Sequence, residues 1–131
     1  MDQALSVFRA ATELSHAFLD PAFLRKSEEL LRMRTLREFE TDVIDDGGVR
    51  AFITRTGGFI EALFVDPPFQ SMGYGKRLID CAKSGSGALQ LSVFARNPRA
   101  VKFYQREGFW ATAVKKHHET GESIVLLKWE P

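Results

Sequence analysis

The stretch "QSMGYGK" at Gln70–Lys76 decides how this chain is read. It stands between "FIEALFVDPPF" (59–69) and "RLIDCAK" (77–83). The run before it is apolar, aromatic and β-branched, as in a strand. The run after it places Leu78, Ile79 and Ala82 on one face at helical spacing. Two glycines therefore fall where a strand gives way to a helix. A helix N-terminus presents unpaired backbone N–H groups and a partial positive charge. Glycines before it let the backbone curl close to a ligand and form a nest for an anion. Gly73 and Gly75, with Lys76 in the first turn, read as a phosphate or pyrophosphate cradle. The competing reading is a plain strand-to-helix turn, since so short a glycine pattern is weak by itself. A P-loop is excluded by spacing. A dinucleotide fingerprint is excluded because its third glycine is missing.

Working outward, Leu5, Phe8, Leu14 and Phe18 predict a first helix, with Ala4 and Ala11 on the same side. Asp20-Pro21 caps and opens a second helix that runs to about Arg34. "REFETDVID" (37–45), "VRAFITRT" (49–56) and "FIEALFV" (59–65) read as three strands. The turns "DDGG" (45–48) and "GG" (57–58) join them into an antiparallel meander. Beyond the cradle helix, "SGSG" (84–87) is a stop and "ALQLSVFA" (88–95) a strand. Asn97 and Pro98 start a helix that ends at Gly108. "FWATAVKKHH" and "ESIVLLKWE" close the chain as two strands around "ETG". The expected fold is α/β (α+β): one mixed, mainly antiparallel sheet of about six strands, flanked by about four helices.

The bulk properties narrow the classes. The 131 residues suit a single domain, 1–131, with a proper core. The net charge of +1 supplies no global field for nucleic acid or acidic membranes. No apolar run approaches the roughly 20 residues of a membrane span, and the N-terminus lacks signal-peptide features. A lone Cys81 fits a reduced, cytoplasmic setting.

A second segment, "NPRAVKFYQREGF" (97–109), lies about one helix and one strand downstream of the cradle. Gln70-x-x-Gly73-x-Gly75, followed by Asn97-x-x-Ala100-x-x-Phe103-Tyr104-x-x-x-Gly108-Phe109, resembles the two signature motifs of the GNAT-type N-acetyltransferases. "SHAFLDPAFL" (15–24) is similar to a bacterial YjaB-like subgroup of that family. The resemblance implies an N-acetyltransferase using acetyl-CoA as cosubstrate, with no metal. Its acceptor would be an amine of a small molecule or peptide. It implies that strand 59–65 splays from strand 88–95 and that the pantetheine arm enters the V between them. Backbone groups of Leu63, Phe64 and Val65 would pair with the pantetheine amides, and the Val65 amide would polarise the thioester carbonyl. The backbone of Ser71, Met72, Gly73, Tyr74, Gly75 and Lys76 would hold the pyrophosphate. Asn97 matches the family's cofactor-side asparagine, and also reads as a simple helix cap.

Tyr104 matches the family tyrosine at the thioester sulfur. A phenol is a reasonable proton donor to a departing thiolate; the plainer reading is a core aromatic. Phe103 and Tyr104 point about 100° apart on a helix, so the two are not expected to face the same pocket. Glu61 is the candidate base. Alternation puts it on one face with Leu63 and Val65, and a carboxylate in an apolar strand calls for a wet cleft; the plainer reading is a solvated or salt-bridged residue. Some family members carry a glutamate where this chain has Ser92, which cannot serve. His16, His117 and His118 are scattered further candidates for the base. His16 lies at the end of the first helix, near where the family shapes the acceptor pocket; the plainer reading is a structural group, and no metal-ligand spacing joins the three. The acceptor pocket is expected from residues 15–25 and 115–123.

This chain departs from the family in one respect: the usual first strand, before the first helix, is missing. Residues 37–45 would then be an exposed sheet edge able to recruit another chain, such as a second copy in a homodimer, unless Arg37 and Glu38 blunt it or the true start lies upstream. Two other function classes use part of the same motifs. A non-catalytic acyl-CoA-binding or sensing domain needs the cradle and the V but neither Tyr104 nor a base. A nucleotide-binding regulatory module needs the cradle alone.

Overall fold

A computed structural model describes residues 2–37, 40–85 and 87–131. The elements follow in the order α1 (Asp2–Ser15), α2 (Pro21–Arg37), β1 (Glu40–Asp45), β2 (Val49–Thr56) and β3 (Phe59–Val65). A 3-10 turn (Pro67–Phe69) leads to α3 (Tyr74–Gly85), β4 (Leu89–Phe94), α4 (Pro98–Arg106), β5 (Trp110–Lys116) and β6 (Ser123–Trp129). The six strands form one sheet in the order β1-β2-β3-β4-β6-β5. Every neighbouring pair is antiparallel except β3–β4, which is parallel. The expected mixed, mainly antiparallel sheet with four helices is thus present.

Each sheet face has its own core. On one, Leu78, Ile79 and Ala82 of α3 and Tyr104 of α4 pack on Ile53, Leu89, Leu91 and Leu127. On the other, Ala4, Leu5 and Phe8 of α1 and Leu31 of α2 cover Phe52 and Ala62. Three boundaries differ from expectation. Helix α2 continues past Arg34 to Arg37, because no glycine or proline interrupts a run of good helix formers. Strand β1 begins at Glu40, later than residue 37. Strand β5 ends at Lys116, before the two histidines. Strand β1 is one of the sheet's two outer strands, with β5 at the other edge, and no described strand precedes α1. The expected strand at 38–39, the blunting by Arg37 and Glu38, and Ser86 of the 84–87 stop concern residues or side chains outside those described.

Strands β3 and β4 meet at a single pair, Phe59 with Gln90. The Gln90 N–H donates to the Gly58 carbonyl at 2.8 Å. A Cβ on Gly58 would lie 2.6 Å from the Ala88 carbonyl oxygen, so only glycine lets the strands approach there. Past this vertex the strands part. Strand β3 stays with β2, and β4 pairs with β6 from Leu89 to Phe94. A V-shaped gap opens between them, as anticipated.

One feature of β3 was not anticipated. Thr54 pairs with Ala62 and Arg55 with Ile60, so Glu61 is an extra residue in a β-bulge. The bulge resets the alternation. Ile60, Leu63 and Val65 pack on the α3–α4 side, while Ala62 and Phe64 pack toward α1. Glu61 does not share a face with Leu63 and Val65. Its carboxylate instead turns toward α2 and lies 3.9 Å from the Arg34 guanidinium.

Candidate active site

The cradle begins where β3 ends. Ser71 and Gly73 both take positive φ, 69° and 83°. The first helical hydrogen bond of α3 runs from the Arg77 N–H to the Gly73 carbonyl at 3.1 Å. The N–H groups of Tyr74, Gly75 and Lys76 precede that bond and lack partners within the helix. A Cβ on Gly73 would meet nothing within 4 Å, so open space lies over this nest. Gly75 has a different reason for being glycine. A Cβ there would sit 3.2 Å from Cζ of Phe103, so Gly75 lets the first turn of α3 press on α4. The two glycines thus divide the tasks that the sequence assigned to both.

The side chains around the nest brace it. The Tyr74 phenol donates to the Asp46 carboxylate, tying the start of α3 to the β1–β2 turn. That hydrogen bond, with burial, pushes the Tyr74 pKa up. Lys76 pairs with Glu107 at 3.3 Å and Asp80 at 3.5 Å, which clamps α3 to the end of α4. The hydrogen bond to Glu107 and the two carboxylate charges raise its pKa. Its ammonium is engaged by those two carboxylates. Met72 projects its side chain into solvent. Gln70 donates from Nε2 to the Val65 carbonyl at 3.2 Å and accepts from Arg99 at 2.7 Å. Arg99 was not singled out in the sequence. Its place beside the helix start Asn97-Pro98 gave no signal that it would reach across to Gln70.

Backbone direction decides which groups of β3 face the V. The Asp66 N–H donates to Arg50 in β2. N–H groups alternate along a strand, so Phe64 also points into the β2 ladder. Leu63 and Val65 point into the gap. The expected use of three backbones therefore reduces to two, and Phe64 offers its side chain only.

Helix α4 places the remaining pieces. Asn97 caps it, its Oδ1 accepting the Ala100 N–H at 3.4 Å. At its other end the Phe109 N–H donates to the Tyr104 carbonyl and the Gly108 N–H to that of Gln105, at 3.0 and 3.1 Å. This is a Schellman motif, and it carries the usual apolar contact: the Phe109 ring lies 5.4 Å from that of Tyr104. Phe103 flanks Tyr104 on its other side at 5.0 Å. Tyr104 is 6% exposed, and burial pushes its pKa up.

Two clefts meet at this point. A cleft of about 520 Å³ holds the nest residues Ser71, Gly73, Tyr74, Gly75 and Lys76. A cleft of about 410 Å³ holds Glu61, Arg34, Ser92, His16 and His117. Leu63, Phe64, Asn97, Ala100 and Tyr104 line both. Phe103 lines the first together with Tyr104, contrary to expectation; the cleft is wide enough to touch both sides of the helix. Only Tyr104 reaches the second. His118 is exposed and lines neither. The second cleft is walled by Leu19, Phe23 and Leu24 from the 15–25 segment, and by His117. Among the described residues no helix is long and apolar enough to cross a membrane.

Residues 36–111 match the acetyltransferase (GNAT) domain family. The peptidyl-lysine N-acetyltransferase YjaB of Salmonella typhimurium is 28% identical over 127 residues, spanning 96% of this chain and 88% of that protein. The solution structure of apo-form YjaB from Escherichia coli superposes with a TM-score of 0.85 at 23% identity, covering 98% of this chain and 89% of the other. A putative streptothricin acetyltransferase from Bacillus anthracis, in complex with acetyl coenzyme A, shares the fold over 72% of this chain and 63% of its own, with a TM-score of 0.62 at 21% identity.

Proposed function

The chain belongs to the GNAT acetyltransferases, and on that premise we propose that it passes the acetyl group of acetyl-CoA directly to an amine, with the residues above as its machinery. The observation that carries this reading is the junction of the two clefts at Leu63, Asn97 and Tyr104. A donor laid along one cleft and an acceptor in the other would meet beside the Tyr104 phenol. The open nest at Ser71–Lys76 suits a pyrophosphate held by backbone N–H groups. The gap-facing backbones of Leu63 and Val65 suit the amides of a pantetheine arm, as an added strand would. The Val65 N–H then sits where a thioester carbonyl needs polarising. Tyr104 protonates the leaving thiolate. Asn97 caps α4 and faces the donor. Glu61, with Arg34, stands on the acceptor side. Its role is to receive the amine, directly or through water.

The acceptor is proposed to be the side-chain amine of a lysine in a peptide, the class for which YjaB is named; a small-molecule amine is the other class that the cleft admits. The setting proposed is cytoplasmic. No nucleic acid, membrane or metal enters this reading. The test is thiol release and product mass spectrometry with acetyl-CoA and a panel of lysine peptides, polyamines and small amines. The expected result is an acetylated amine and one thiol for each transfer. Thermal stabilisation by acetyl-CoA with no thiol released from any amine would leave an acyl-CoA-sensing domain instead.

The outer strand β1, with Val43 exposed, is the proposed place for a second copy to pair. Static light scattering across a concentration series is expected to show a dimer. A monomer at the highest concentration would reject that edge as an interface.

A further inference from the structure

The geometry points to His16 as the group that takes the proton from the attacking amine. This rests on the acetyltransferase reading above and adds a residue to it. His16 follows α1 directly. Its backbone is pinned on both sides, its N–H to Thr12 at 2.8 Å and its carbonyl to Leu19 at 3.0 Å. Its ring sits between the ends of the two diverging strands, 6.2 Å from the Phe64 ring on β3 and 5.7 Å from the Phe94 ring on β4. It therefore stands across the mouth of the V, on the acceptor side.

The tautomer we assign uses both contacts of Ser15. The Ser15 hydroxyl is placed to donate to the Ala11 carbonyl at 3.0 Å. With that bond made, Ser15 Oγ is the acceptor for His16 Nδ1, which lies 2.6 Å away. With the ring's proton on Nδ1, Nε2 carries the lone pair. A base oriented by a neighbouring group in this way is the arrangement general-base catalysis uses. Burial lowers the His16 pKa from its ordinary value of 6.5, so the ring is neutral and ready to accept at pH 7.

The other candidates in the cleft are less well set. His117 has the opposite tautomer. Its Nδ1 accepts the Thr120 N–H at 3.3 Å, so its proton lies on Nε2 and it offers a donor. Glu61 stands 3.9 Å from the Arg34 guanidinium, which suits it as a charged partner for the incoming amine rather than as the proton acceptor. An imidazole is also closer in basicity to an amine than a carboxylate is. In the step proposed, the amine nitrogen bonds to the thioester carbonyl carbon and the carbon–sulfur bond breaks. The nitrogen's proton passes to His16 Nε2, and the Tyr104 proton passes to the thiolate. The products are an amide and free thiol, and proton return from imidazolium to phenolate through water restores both residues.

The test is the pH dependence of kcat/KM with acetyl-CoA and an Nα-acetylated lysine peptide. The titratable and charged groups bordering the ring's cleft are Arg34, Glu61, Tyr104 and His117, and Arg96 lies over the neighbouring Phe18 ring. The wild type is expected to show an acidic limb below pH 6.5, since activity is lost as His16 is protonated. His16→Gln is expected to lose that limb and about 10²-fold in rate at neutral pH, while acetyl-CoA still stabilises it. Glu61→Gln and His117→Asn are expected to keep the limb, whatever their rates. A wild-type enzyme whose limb and rate survive His16→Gln overturns the His16 role and leaves the acetyltransferase reading standing. A wild type that acetylates no amine overturns both. Should His16→Gln fail to fold, ¹⁵N imidazole spectra of the wild type decide: a neutral ring protonated on Nδ1 at pH 7 supports the role, and a proton on Nε2 overturns it.

Discussion

Replacing Tyr104 with Phe is expected to lower kcat by roughly 10²–10⁴-fold, the range for losing a positioned acid, while acetyl-CoA affinity changes little. The ring contacts explain the second half of this expectation. Phe103, Phe109 and the Schellman turn hold the aromatic body of Tyr104, and Phe keeps every one of those contacts. What disappears is one O–H at the junction of the two clefts. Burial pushes the phenol's pKa above its ordinary value of 10, so the donor stays protonated at neutral pH. A phenol gives up its proton less readily than a thiol does. Its help therefore comes as the carbon–sulfur bond breaks and negative charge builds on sulfur, which a hydrogen bond in a water-poor site stabilises strongly. The wild-type profile should accordingly show no loss of this donor below pH 10. Unchanged single-turnover rates in Tyr104→Phe would mean that the residue only packs. A single-turnover measurement is needed because product release otherwise masks the chemical step.

The sequence made the fold legible where the signal was local. Pro21, Asn97-Pro98 and Gly108 mark helix ends because capping chemistry depends on a few adjacent residues. The paired glycine turns at 47–48 and 57–58 mark a meander for the same reason. What escaped was set by pairing between distant residues. The bulge at Glu61 depends on how β2 and β3 align, and no residue in "FIEALFV" announces it. One extra residue was enough to carry Glu61 off the face of Leu63 and Val65 and toward Arg34 of α2. The site shows the same division. Gly73 and Asn97 stand at the starts of α3 and α4, as the local pattern predicts, because a helix start is fixed by the turn before it. The pairing of Lys76 with Glu107, the brace from Gln70 to Arg99, and the Ser15–His16 bond needed the tertiary arrangement. Ser15 and His16 are adjacent in sequence, yet only the helix brings the Ala11 carbonyl within reach of the serine hydroxyl.

Gly73→Val is expected to cost acetyl-CoA about 10²-fold or more in affinity. Two effects act together. The φ of 83° at residue 73 lies where a β-branched side chain is strained by about 1–3 kcal/mol, so the turn that aims the N–H groups shifts. The side chain also enters the open space over the nest, where the phosphates are proposed to lie. Losing even two hydrogen bonds to a charged group, at about 1.5–3 kcal/mol each, accounts for that factor. Strain also lowers the stability of the free variant, so the proper reading is the thermal shift on adding acetyl-CoA, measured against the variant's own unliganded melting point. At a ligand concentration of 100 Kd for the wild type, the expected loss is most of the roughly 2.7 kcal/mol that mass action supplies. Gly75→Ala is the informative partner. Its φ is not in the positive range, and its added methyl meets the far end of a Phe103 ring that can turn aside. It is expected to loosen the contact of α3 with α4 and to leave the nest's N–H groups aimed as before. A Gly73→Val protein stabilised by acetyl-CoA as fully as the wild type would remove the pyrophosphate from Ser71–Lys76. If Gly75→Ala proved the more damaging of the two, the donor's phosphates would belong nearer Phe103 and the start of α4.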